Sequence, residues 1–412
     1  MTPPVNQCPS CLAVREHRVF YEQPHVPVHS CLLIDNRDEA VSFPRGDIRL
    51  SICEQCGFIW NSAFDPALMN YAGEYEETQN YSATFRRFQS RLIKKLVQRH
   101  QLYGKRILEI GCGKGEFLVE LCCEGNNVGI GFDPGFQQDR IDAGAHGSVQ
   151  FVKDYFSESY AGIQTDFACC RQTLEHIARP NEFLRCIRDA ITSEDYVIHF
   201  QLPDTRRVLQ EAAFWDVYYE HCSYFCPESL ESLFRSVGFE VTNVSIEYDN
   251  QYLLLDALPA RNAGKLLHES SDFATELGSL AERFAEQVES FRKHWRLRID
   301  RFVANRQRVA VWGSGSKAVA FLNCINVGDA VKDVVDINPR KHGKYLPGTG
   351  HEIIGPESLV KLPPDIVIAM NPIYLEEIQA ELDRRQVKAT VISINEDIGP
   401  PGGQETWHIH AA

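Results

Sequence analysis

The stretch RILEIGCGKGEFLVELC, Arg106 to Cys122, reads as a short apolar strand, a glycine-rich turn and an apolar helix. Glycines in the turn Glu109-Ile110-Gly111-Cys112-Gly113-Lys114-Gly115 let the backbone approach a ligand and let the helix pack close to the strand. The spacing is G-x-G-x-G rather than the dinucleotide G-x-G-x-x-G, which argues against a nicotinamide cofactor. Upstream, FRRFQSRLIKKLVQRH (85–100) places apolar residues at helical spacing. Downstream, NVGIGFD, VQFV, DFACC and DYVIHFQL are strand-like and separated by helical or loop segments. Repeated β-α alternation implies an α/β fold with a mostly parallel sheet covered on both faces. Ligands in such sheets settle at the carboxyl ends of the strands, near the switch in strand order. Asp133 ends the second strand, where an acidic side chain takes ribose hydroxyls. RQTLEHI (171–177) follows the fourth strand.

The chain of 412 residues has room for two or three domains. Its net charge of −14 is spread along the sequence, which argues against a nucleic-acid partner. The start, MTPPVNQCPSC, lacks a basic segment followed by an apolar run, and no stretch has the eighteen or so apolar residues of a membrane span. Several of the 14 cysteines sit in apolar runs, as in LVELCCEG and DFACCRQTL, where a reduced thiol is a small core residue. A cytoplasmic protein is expected.

Cys8 with Cys11, and Cys53 with Cys56 in SICEQCGFIW, form two C-x-x-C pairs. Two such turns complete a tetrahedral thiolate site suited to a structural zinc ion. So small a module has little apolar surface to bury, and metal binding would supply its folding energy, on the order of 10 kcal/mol or more. Cys31 is a spare thiol, and His25 or His29 offers a replacement ligand.

The glycine turn, the acid at the next strand end and RQTLEHI together resemble the class I S-adenosylmethionine-dependent methyltransferases, over residues 75 to 245. That resemblance implies a Rossmann-like domain in which Gly111, Cys112 and Gly113 line the amino-acid and ribose portions of the cofactor. Asp133 would hold the ribose, Pro134 would flank the adenine, and Asp154 in FVKDYF would meet the adenine amine. Gln172 would lie beside the methyl-donor end. Glu109 would reach the cofactor through water or brace the loop, and His176 would be structural.

Residues 269–307 place Phe273, Leu277, Leu280, Phe284, Val288 and Phe291 at helical intervals, one or two long connecting helices. RVAVWGSGSKAVAFLNC (308–324) then repeats the strand, glycine turn and helix, opening a second, smaller Rossmann-like unit. The implied division is a zinc module (1–64), a methyltransferase domain (65–262), connecting helices (263–306) and a C-terminal domain (307–412). This order resembles the sugar C-methyltransferases, which methylate C-3 of nucleotide-linked 4-keto deoxysugars. Their signature is matched by Val217-Tyr218-Tyr219-Glu220-His221-Cys222-Ser223-Tyr224-Phe225.

Carbon becomes nucleophilic only when a proton leaves the position beside a carbonyl, so such an enzyme needs a base and a donor to the enolate oxygen. The resemblance assigns His221 as base, Tyr218 as enolate donor and Glu220 as the carboxylate orienting the imidazole, with the Tyr218 and His221 roles exchangeable. Tyr75 in GEYEETQNYS would pair with His221 or cover the sugar. Tyr219 and Tyr224 read as packing. Backbone amides from Gly313 to Ser316, with Lys317 as counter-charge, suit the substrate's diphosphate. Two departures fall where substrate would be contacted: SIEYDNQYLLLDALPA (245–260) replaces an H-G-G-S-x-R segment, and Gln201 replaces an acidic residue. Two other readings are transfer to oxygen or nitrogen of a related small molecule, and a non-catalytic sugar-nucleotide binding protein. A monomer or weak homodimer is expected.

Overall fold

The computed structural model describes residues 7–15, 17–69, 75–140, 148–260 and 272–396. The start of the expected connector, residues 263–271, lies outside them. The chain opens with β1 (Arg18–Pro27), α1 (Arg37–Val41), β2 (Arg45–Ile52) and β3 (Ile59–Asn61). The strands pair antiparallel in sequence order.

Next come α2 (Ala83–His100), β4 (Arg106–Ile110), α3 (Glu116–Gly125), β5 (Val128–Phe132), β6 (Val149–Val152), β7 (Phe167–Arg171), α4 (Pro180–Ala190) and β8 (Val197–Pro203). Then follow α5 (Thr205–Gln210), β9 (Ser223–Tyr224), α6 (Pro227–Ser236), β10 (Phe239–Glu247) and β11 (Tyr252–Pro259). The Ser82 hydroxyl caps α2 by accepting the Phe85 N–H, supplying one of the partners a helix start lacks. Phe85, Phe88, Gln89, Leu92, Ile93, Leu96 and Val97 then bury one face of α2.

The central sheet has seven strands in the order β10-β11-β8-β7-β4-β5-β6. β11 runs antiparallel to both its neighbours, and the remaining pairings are parallel. Strand order reverses between β4 and β7, so their carboxyl ends open a crevice there. The sequence pattern anticipated the parallel strands. The antiparallel hairpin β10–β11 turns on three successive residues with positive φ, Tyr248, Asp249 and Asn250, and Asn and Asp tolerate that conformation best after glycine.

β9 does not join this sheet. It pairs with β3 through Ile59–Tyr224 and Trp60–Ser223, making the front sheet β1-β2-β3-β9. Two of the nine signature residues, Ser223 and Tyr224, therefore lie in the N-terminal module's sheet.

Among the described residues the connector is one 33-residue helix, α7 (Asp272–Ala304). Its apolar stripe continues past the expected residues to Trp295 and Ile299, and is buried against β1 and the C-terminal domain. The last domain comprises β12 (Val309–Trp312), α8 (Ser316–Ile325), β13 (Val331–Val335), β14 (Ile353–Ile354), β15 (Ile366–Ala369), α9 (Leu375–Arg384) and β16 (Thr390–Ser393). Its sheet is parallel throughout, in the order β14-β13-β12-β15-β16. No helix among the described residues is long and apolar enough to cross a membrane.

Candidate active site

A cleft of about 1290 Å³ lies between the carboxyl ends of the parallel strands of the two larger domains and draws walls from all three parts of the chain. Gly111, Cys112, Gly113, Asp133, Pro134, Asp154, Gln172 and Glu109 line one end. Gly313, Ser316 and Lys317 line the other, and Tyr75, Tyr218 and His221 stand between.

The glycine turn is built for close approach. Gly111 and Gly113 have φ of 71° and 54°. A side chain at Gly111 would put Cβ 2.1 Å from Thr173 Oγ1, a clash added to the strain of the left-handed backbone. The Gly113 N–H donates to Asp133 Oδ2 at 2.9 Å, and the Gly135 N–H to Oδ1 at 2.7 Å. Each Asp133 oxygen keeps a lone pair for a ligand hydroxyl. Burial pushes the Asp133 carboxyl up, and the two amides oppose it. Asp154 is already engaged: its carboxylate accepts from its neighbour's Tyr155 N–H at 2.8 Å and the Tyr160 hydroxyl at 2.6 Å. Gln172 sits at φ 48°, and its Nε2 has no partner among the described residues. Burial raises Glu109 to about 8.

Glu77, absent from the sequence reading although next but one to Tyr75, also belongs here. Its Oε1 lies 2.8 Å from where a Cβ on Gly113 would stand, and its Oε2 lies 3.4 Å from Lys114 Nζ. Burial raises its carboxyl to about 7.

The signature turn brings two rings together. The His221 N–H donates to the Tyr218 carbonyl at 3.1 Å, so the side chains of positions 218 and 221 leave the turn on one side. Their ring centroids are 4.1 Å apart, and His176 meets His221 at 4.8 Å, edge to face. Burial holds His221 well below the usual 6.5 and Tyr218 well above 10, so both are neutral at pH 7.

Glu220 departs from expectation. Its Oε1 hydrogen-bonds His29 Nδ1 at 2.7 Å, with both side chains 3% exposed or less. Adjacent to His221 in a turn, it points away into the N-terminal module, and it forms no part of the cleft wall. It positions His29 rather than His221. Tyr75 faces this pair, its ring 6.2 Å from that of His29. Tyr219 is buried, and its hydroxyl accepts the Asp65 N–H at 2.8 Å.

The C-terminal wall repeats the construction of the glycine turn. The Gly313 N–H donates to the Val335 carbonyl at 2.8 Å, as Gly111 does to Phe132. Ser314 donates through N–H and hydroxyl to Asp336 Oδ2, at 2.9 and 2.6 Å. Lys317 is not a free cation; it pairs with Asp216, which also receives Arg207 at 2.6 Å. Burial favours the neutral carboxyl of Asp216, yet Lys317 and Arg207 outweigh it and hold the pKa low. A second bridge joins the two larger domains, with Glu76 accepting from Arg140 and from Asn338.

The four cysteines converge apart from the cleft. Cys8 and Cys56 Sγ are 3.8 Å apart, as are Cys11 and Cys53, and all four sulfurs lie within 4.8 Å of one another. The cluster includes none of the three spare ligands, Cys31, His25 and His29: His29 is held by Glu220, and Cys31 Sγ lies 3.6 Å from Ser316 Oγ.

A glycine turn closed by the acid of the following strand, at the switch point of a seven-stranded sheet with one antiparallel member, defines an S-adenosylmethionine-dependent methyltransferase. The methyltransferase-domain family matches residues 81–244, and the C-methyltransferase C-terminal domain matches residues 259–393. The chain thus carries a methyltransferase domain and the C-terminal domain of C-methyltransferases, and it is an S-adenosylmethionine-dependent C-methyltransferase. It is similar to the C-methyltransferase NovU of Streptomyces niveus, 24% identical over 84% of this chain and 85% of that one. A shorter likeness, 35% identical over 91 residues, covers 20% of this chain and 37% of the ubiquinone biosynthesis O-methyltransferase of Escherichia coli O127:H6. Among solved structures, the magnesium protoporphyrin IX methyltransferase ChlM of Synechocystis PCC 6803 superposes with a TM-score of 0.33 and 15% identity, over 43% of this chain and 80% of that one.

Proposed function

We propose that this enzyme methylates a carbon beside the ketone of a nucleotide-linked keto sugar, C-3 of a 4-keto deoxysugar. The observation that carries the reading is the contact between the Tyr218 and His221 rings on a cleft wall lying between two glycine turns. S-adenosylmethionine supplies an electrophilic methyl group on its sulfonium. Its fit rests on the turn at Gly111 to Gly113, the spare lone pairs of Asp133, and the unpartnered Gln172 Nε2. Cys112, Pro134, Glu109 and Asp154 complete that end of the cleft. The neutral imidazole of His221 accepts the proton from the carbon beside the ketone, and the electron pair left behind delocalises onto the ketone oxygen. The neutral Tyr218 hydroxyl donates to that oxygen as charge develops. Tyr75 covers the sugar from the His29 side. The amides between Gly313 and Ser316 and the shared cation Lys317 hold the diphosphate.

The front module takes zinc. Tetrahedral thiolates at about 2.3 Å from the metal are about 3.8 Å apart, the separation found between Cys8 and Cys56 and between Cys11 and Cys53. Four sulfurs close the coordination, so the ion is structural.

The decisive experiment incubates enzyme and keto sugar nucleotide in deuterated water with S-adenosylhomocysteine in place of the methyl donor. Exchange at the carbon beside the ketone, lost in His221→Ala, is expected. An unexchanged proton together with methyl transfer to oxygen or nitrogen would overturn the reading. Thermal stabilisation by dTDP, CDP, GDP or UDP identifies the nucleotide, because a ligand bound only by the folded state raises stability by mass action.

A further inference from the structure

His221 has a second set of neighbours. The short turn after β7, Leu174–His176, brings Glu175 and His176 up to it. One ligand atom from each of Glu175, His176 and His221 lies within 4.8 Å of the others, and all three residues line the cleft. Glu175 is 2% exposed, yet among the described residues neither carboxylate oxygen has a hydrogen-bond partner beyond its own residue. A buried carboxylate left without a partner is costly, about 1–3 kcal/mol or more. Its natural complement is a cation. One nitrogen of His176 donates to the Glu220 backbone carbonyl, the orienting contact that metal-binding histidines characteristically make with their second nitrogen. Two imidazoles and one carboxylate, open on the cleft side, form a donor set for borderline divalent ions. Hard ions such as magnesium and calcium prefer oxygen ligands throughout.

We propose that Glu175, His176 and His221 form a second metal site, distinct from the four-cysteine site, which takes a borderline divalent transition-metal ion and reversibly inhibits methyl transfer. An ion there takes a lone pair of His221 and competes with the substrate's proton for that ring. Binding of the ion follows from the three donors alone; the inhibition rests on His221 acting as base.

The test adds Co2+ to zinc-loaded full-length protein in chelator-free buffer. Expected is one further ion per chain, with visible absorption of nitrogen and oxygen ligation and a parallel loss of both methyl transfer and deuterium exchange. A weak chelator should restore activity while the cysteine-bound zinc stays in place. Glu175→Gln should weaken Co2+ binding by about tenfold or more, keep its affinity for S-adenosylmethionine, and remain active when Co2+ is added. His176→Gln, measured by the same titration, covers the case in which the first variant does not fold. Uptake of no further ion, thiolate-type absorption alone, or unchanged affinity in both variants would overturn the site. Binding that depends on Glu175 but leaves turnover unaffected, or raises it, would overturn the inhibition. Absent deuterium exchange in zinc-loaded enzyme without added Co2+, with the Glu175-dependent Co2+ titration intact, would instead refute His221 as base and leave the site standing.

Discussion

Tyr218→Phe isolates the hydroxyl of the signature tyrosine from its packing. The phenyl ring keeps its place 4.1 Å from the imidazole of His221, so the base is not displaced. What is lost is one donor to the oxygen on which charge develops. A single such donor contributes roughly 3 kcal/mol in a site shielded from water, and at about 1.4 kcal/mol per decade that is a fall in kcat of about 150-fold. Burial already holds the phenol well above 10, so no ionised form contributes to the rate in the neutral range. The KM for the sugar nucleotide should change little, since the bond strengthens only as the enolate forms. The assay is methyl transfer from labelled S-adenosylmethionine over pH 6 to 9, with cofactor affinity measured by calorimetry. With burial keeping His221 well below 6.5, activity should hold as pH falls through 6.5 in both wild type and variant. A drop in kcat smaller than about fivefold, well short of one donor's worth, would refute the assignment. So would an equal weakening of S-adenosylmethionine binding.

Asp216→Asn should destabilise the protein by about 3 kcal/mol in urea unfolding, since it leaves Lys317 without its acid in a site where Asp216 is 11% exposed; the double variant with Lys317→Met should recover most of the loss. Glu109 is raised to about 8 by burial against about 4.3 when unfolded, so its folded state binds the extra proton. That stability is present below about 4.3 and lost as pH rises through 8; Glu109→Gln should therefore flatten the decline of melting stability between pH 5 and 9, by at most about 1.4 kcal/mol per pH unit. Cys53→Ser should lower zinc affinity at least about tenfold and reduce kcat while leaving S-adenosylmethionine affinity in place, checked by metal analysis and calorimetry; unchanged turnover in metal-free protein would separate the module from the reaction.

What could be read from the sequence was what neighbours in sequence decide. The turn at Gly111 announces itself because strand, glycines and helix are contiguous, and Asp133 follows one β-α unit later. The Tyr218–His221 contact is legible because both residues belong to one turn. The four cysteines announce themselves by repeated spacing. Partners distant in sequence were not legible. Glu220 reads as a support for His221 beside it, but its partner is His29, 191 positions away. Lys317 reads as a counter-charge for the diphosphate alone because nothing local reveals Asp216, 101 positions earlier. β9 is two residues long, too short for any periodicity to show which sheet it joins. The Tyr248–Asn250 hairpin carries no glycine, so its left-handed turn is hidden in ordinary residues.

Since Ser223–Tyr224 completes the front sheet, the module that opens the chain and the segment from 216 to 226 are built as one structural unit. A chimera made by exchanging N-terminal regions between relatives at residue 64 would put Trp60 against a foreign strand and Glu220 opposite whatever replaced His29. Transplants that carry both pieces together should keep working, and those that split them should fail even when every cleft residue is retained.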